Sequence, residues 1–150
     1  MLPHPAPEDH HGDRAGGQQQ RRAKRLQQEH RVALGPELPA LFGTRNETVE
    51  AVLRHGRRTA DPLWPLPLWS GYEDDLASKI ADTNNASAST FAGSIIGALY
   101  LKRFVTRSPD WLHVDLYAWN PKDRPGRPAG GEAQAVRALY SMLAERYGWT

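Results

Sequence analysis

An α/β fold is predicted for residues 31–150, and two features of the chain predict it. Apolar residues recur at helical spacing in several segments and alternate at every second position in another, so both periodicities are present. The segments follow in the order strand, helix, helix, helix, strand, helix, an α/β pattern. A third observation limits the architecture. Two strands are too few to cover this much apolar helix, so the sheet to which they belong reads as incomplete.

The first 30 residues are predicted to be a disordered or unrelated leader. After Leu2 the next large aliphatic residue is Leu26, which leaves too little apolar surface to offset the entropy of ordering the segment. From Arg31, R-V-A-L-G followed by P-E-L-P-A-L-F predicts a short apolar strand running into a loop. Thr44 and Glu47 have capping-box spacing. Val49, Val52 and Leu53 then recur at helical intervals, and this helix should fade near Gly56. Asp61–Trp69 holds three prolines in nine residues and predicts an extended connector.

Ser70 and Glu73 have the same capping spacing and predict a helix with Tyr72, Leu76 and Ile80 on one face. The polar stretch from Thr83 to Thr90 predicts a loop. Phe91–Val105 is apolar on nearly every side, as in a buried helix, with Gly93 and Gly97 available for close backbone approach. Ser108-Pro109-Asp110 is a turn signal. Trp111–Trp119 alternates as one strand, with Leu112, Val114, Leu116 and Ala118 on one face and Trp111, His113, Asp115, Tyr117 and Trp119 on the other. Pro121–Gly131 predicts a loop. Glu132–Tyr147 predicts a last helix with Val136, Leu139, Tyr140, Leu143 and Tyr147 as its apolar stripe and Gly148 as its stop.

Composition removes several classes of function. The chain has no cysteine, which excludes disulfides and thiolate metal sites. No apolar run reaches the roughly 18 residues that span a bilayer, and the N-terminus has no apolar signal region, so a cytoplasmic, soluble protein is expected. The net charge of +2 resides in residues 1–31, where Arg14, Arg21, Arg22, Lys24, Arg25 and Arg31 outnumber Glu8, Asp9, Asp13 and Glu29. The rest of the chain is neutral overall, and the basic cluster lacks interleaved aromatics, which argues against a nucleic-acid partner.

Candidate chemistry in the residues themselves is sparse. Glu73-Asp74-Asp75 is the densest acidic group, but it falls in the first turn of a predicted helix, where acids favour the positive end of the dipole. His10, His11 and Asp13 sit in the leader with no scaffold to fix them. His113 and Asp115 share one strand face, as a general base with its orienting acid would, or as a structural polar pair. The structural pair is the expectation.

Four pieces of the chain carry a resemblance when taken together. They are P-L-W (62–64) before a capped helix, A-D-T-N-N (81–85) before a loop of small residues, A-G (92–93) opening a buried helix, and H-V-D (113–115) in the strand after it. With the terminal G-R-P-A-G-G-E-A-Q-A-V-R-A-L-Y (126–140), the region from Arg31 to Tyr147 resembles the C-terminal part of the leucyl aminopeptidase (cytosol aminopeptidase) family. The resemblance implies a partial C-terminal segment of a mixed-sheet metallo-aminopeptidase catalytic domain, usually assembled as a hexamer. In that family two divalent metals, manganese or zinc, are held by a lysine and several carboxylates, some of them in an N-T-D-A-E-G-R motif. That motif and the A-T-L-T-G-A segment after it lie upstream of the counterpart of Arg31, where this chain reads R-L-Q-Q-E-H.

A dinuclear hydrolase needs carboxylates that hold two ions close enough to share a water and a tetrahedral oxygen. The expectation is therefore a truncated family member, inactive alone, with no catalytic residue, metal ligand or cofactor of its own. What the resemblance carries over is one wall of the pocket for a peptide's first side chain: Asn85, Ala86, Tyr117, Ala118 and Trp119. The alternative is a non-catalytic oligomerisation or interaction module derived from the family.

Overall fold

The structure, a computed structural model, describes residues 34–85, 89 and 91–149. The expected leader, residues 31–33 of the expected first strand, and Ala86 lie outside the described residues.

At the centre is β1 (Ala40–Gly43), whose Ala40, Leu41 and Phe42 are almost wholly buried. The sequence predicts a loop for these residues. A strand covered on both faces is uniformly apolar and shows no alternation, so a short run of this kind carries no period-two signal. On one side β1 pairs in parallel with the two-residue β2 (Trp64–Pro65). On the other it pairs antiparallel with β3 (Leu112–Asp115), matching Ala40 with Asp115 and Gly43 with Leu112. The sheet is mixed and runs β2-β1-β3.

Both faces of this sheet are covered. Helix α1 (Asn46–Arg58) and helix α3 (Val136–Tyr147) pack on one face, where Leu41, Val52, Leu53, Leu63, Ala138 and Met142 form the largest apolar cluster. Helix α2 (Gly93–Lys102) covers the other face, with Ala98 against Ala40 and Phe42. Its far side packs through Ile96 and Leu99 against Leu76 of a 3-10 helix, Ser70–Leu76. Successive β1 side chains therefore serve different clusters, as the pleat requires.

Neither capping box forms. The residue before α1 is Arg45, which makes no side-chain capping bond. The Thr44 hydroxyl instead donates to Pro109 O at 3.0 Å and accepts the Trp111 N–H at 2.9 Å. Thr44 continues the β1–β3 ladder, so the strand takes the hydroxyl that the spacing assigned to the helix. At Ser70 the chain forms only the 3-10 turn, which buries Leu76 and leaves Ile80 98% exposed, so the expected three-residue face does not exist. In α2 a Cβ added at Gly97 would meet nothing within 4 Å, so this glycine allows no close approach. Gly56 does: a Cβ there would lie 2.7 Å from Asp61 O, because the chain folds back directly over the end of α1. The α3 stripe also differs. Ala138 and Met142 are buried, while Val136, Tyr140 and Tyr147 are more than half exposed.

The end of α1 and the start of α3 are joined by Asp61, which is buried. One carboxylate oxygen accepts the Ala135 N–H at 3.0 Å, and the other accepts those of Arg137 at 3.0 Å and Ala138 at 3.1 Å. These are among the N–H groups that a helix cannot satisfy internally. Ala60, at φ 52, turns the chain from α1 into this position, and the Asp61 N–H bonds back to Gly56 O at 2.9 Å.

Replacing Asp61 with alanine leaves three donors without their acceptor in a mostly buried setting. The expected loss is about 2–3 kcal/mol in urea denaturation. Ala60→Gly removes the cost of a left-handed Cβ and should raise stability by about 0.5–1 kcal/mol in the same assay, after the greater freedom of glycine in the unfolded chain is subtracted.

Candidate functional site

The alternating segment at 111–119 is not one strand. β3 stops at Asp115, and Ala118 takes φ 55, a left-handed turn that period-two counting cannot reveal. After it, β4 (Trp119–Asn120) pairs antiparallel with β5 (Gly130–Gly131) in a separate two-stranded sheet. Pro121–Gly131, expected as plain loop, thus supplies a strand and a tight bridge between Arg124 and Arg127.

The turn at Tyr117-Ala118-Trp119 is held by Gln134, a residue that no sequence motif marks. Gln134 is nine-tenths buried. Its Oε1 accepts the Ala118 N–H at 3.0 Å, while its Nε2 donates to Pro36 O at 2.9 Å. The Glu132 N–H donates to Ala118 O at 3.0 Å. Below the turn, the buried Asn120 amide donates to Arg127 O at 2.7 Å and Pro128 O at 3.0 Å. Arg124 bridges Glu37 at 2.5 Å and Glu132 at 3.4 Å, and Arg127 reaches Glu132 at 2.9 Å. Beside this network lies a cleft of about 530 Å³ lined by Glu37, Asp61, Arg127, Glu132, Gln134 and Arg137 among others. Nothing in the spacing of Gln134 marks it, because its two partners are backbone groups 16 and 98 residues away.

Tyr117 and Ala118 are half-buried and Trp119 is 51% exposed. Asn85 is exposed on the loop after the 3-10 helix. That loop is anchored where the Asn84 N–H and the Thr83 hydroxyl donate to Leu76 O, at 2.8 and 3.1 Å. Arg103 fastens it with a 2.8 Å bond to the Thr83 hydroxyl. This anchor lies at the C-terminal end of α2, whereas Asp115 meets the helix at its start through Ser94. Ser94 and Arg103 are nine residues apart, which at 1.5 Å each separates the two anchors by about 14 Å along the helix.

His113 and Asp115 occupy the strand face toward α2. The His113 ring stacks between Phe42 and Trp111, with centroids 5.8 and 5.9 Å away. The Ser94 hydroxyl donates to Asp115 Oδ2 at 2.6 Å in the first turn of α2. Burial lowers the His113 pKa from its ordinary value, and the Asp115 charge offsets only part of that. Across the molecule, His55 on α1 is fully buried. Its Nδ1 lies 2.7 Å from the Ser141 hydroxyl, and its Nε2 is 3.2 Å from Glu145 without hydrogen-bond alignment. Burial acts to raise the Glu145 carboxyl, but Arg54 and His55 outweigh it and hold the group below the usual carboxylate range. These contacts tie α1 to α3 and converge on no cleft shared with Tyr117.

A dinuclear metal centre does not fit the donors in view. Among the described residues no three His, Asp or Glu side chains converge closely enough to hold one ion. The Asp61 carboxylate is already committed to three backbone donors, and Glu132 to two arginines.

A mixed sheet covered on both faces, with a structured turn after its strand β3, defines a segment of an α/β domain. The chain belongs to the cytosol aminopeptidase family: the family's catalytic domain matches residues 25–140. It is 41% identical over 116 residues to a probable cytosol aminopeptidase of Syntrophobacter fumaroxidans, covering 76% of this chain and 23% of the relative. The counterpart in Geobacter sulfurreducens is 40% identical over 114 residues, covering 75% of this chain and 23% of that protein. Among solved structures, the cytosol aminopeptidase of Coxiella burnetii superimposes with a TM-score of 0.74 at 46% identity, over 78% of this chain and 26% of that one. The bottromycin maturation enzyme BotP superimposes with a TM-score of 0.75 at 30% identity, over 80% and 27%, and has also been solved in complex with Mn. The chain thus spans about a quarter of the length of the relatives it matches.

The His113 shift has a testable consequence. A histidine whose pKa is lowered by folding binds its proton more weakly in the folded state, so stability is present above the unfolded value of 6.5 and declines as pH falls through it. Chemical denaturation at a series of pH values from 8 to 5, approximately, should show this decline. His113→Phe keeps the ring stack, so the variant's curve should be the flatter of the two.

Proposed function

We propose that residues 31–150 are the C-terminal part of a leucyl aminopeptidase-like catalytic domain and contribute its scaffold and one pocket wall. The observation that carries this reading is the superposition on the Coxiella burnetii aminopeptidase at 46% identity. In the full-length form, N-terminal residues would be released from peptides with two divalent ions, manganese or zinc, supplied with ligands by parts of the domain that this chain lacks. The manganese complex of BotP supports that choice of metal. Assembly as a hexamer and a cytoplasmic location follow from the same resemblance, and among the described residues no helix is long and apolar enough to cross a membrane.

Asn85, Ala86, Tyr117, Ala118 and Trp119 would face the first side chain of the peptide. An aromatic lining suits an apolar residue such as leucine. The left-handed Ala118, clamped by Gln134 and Glu132, supports the role of Tyr117 and Trp119 as fixed surfaces.

A second reading, a non-catalytic interaction module, is favoured by apolar exposure. Phe91, Phe104, Trp64 and Trp69 are each more than half exposed. Side chains of this size left open are characteristic of surfaces that meet other protein.

The two readings share one assay. The purified chain, supplied with manganese or zinc, should not hydrolyse a leucine chromogenic amide above the rate of metal and buffer alone. Turnover abolished by a chelator would overturn the claim that this chain has no activity of its own.

A further inference from the structure

We draw no further inference here: the strongest candidate, the cleft between the start of α3 and the β4–β5 hairpin, has its lining charges Glu37, Asp61, Arg127, Glu132 and Arg137 already paired with neighbouring side chains or backbone groups, and nothing in the structure shows what covers it.

Discussion

Three backbone N–H groups at the start of α3 have no partners within the helix, and the carboxylate of Asp61, from the far end of α1, accepts them all. This one side chain fixes how the two longest helices meet. It requires the chain to leave α1 through the left-handed Ala60 and to pass so close over Gly56 that a Cβ there would collide with Asp61 O. It also sets where β2 begins, since Pro62 and Leu63 lead straight from Asp61 into Trp64. A buried carboxylate without partners would be costly. With three charge-assisted hydrogen bonds it becomes the joint that the α1–α3 face of the sheet depends on.

The second constraint is β1, a four-residue strand that supplies both cores. Leu41 belongs to the α1–α3 cluster, while Ala40 and Phe42 belong to the α2 cluster. Around this strand the hydrogen-bonding positions are taken in an orderly way: β2 and β3 occupy its two sides, and Thr44 extends the ladder beyond it with its hydroxyl. Polar groups in the β4–β5 region follow the same economy. Gln134 and Asn120 spend buried amides on backbone partners, and by doing so hold the turn at Ala118.

Tyr117, Ala118 and Trp119 lie on a turn that is clamped on both sides, by Gln134 and by the Glu132 N–H. Asn85 belongs to a different loop with its own anchor at Leu76, and that loop continues into residues outside the described part of the chain. The buried acids nearby serve capping and ion pairs.

Much of this was legible in the residues themselves. The α/β class, helices α1, α2 and α3, the strand at 112–115 and the stop at Gly148 follow from periodicity and turn chemistry, which are local properties that any window of sequence exposes. The family followed from four short motifs in the right order. Other features were decided only by the tertiary structure, because their partners are distant. The Thr44 hydroxyl serves Trp111 and not a helix end, the Ser70 segment stops after a 3-10 turn, and the strand breaks at Ala118. Asp61 and Gln134 acquire their roles from donors and acceptors dozens of residues away. Sequence spacing reports which groups a residue can reach along its own element; which one it keeps is settled by competition across the folded core, where a long-range partner that is buried outweighs a local one open to water.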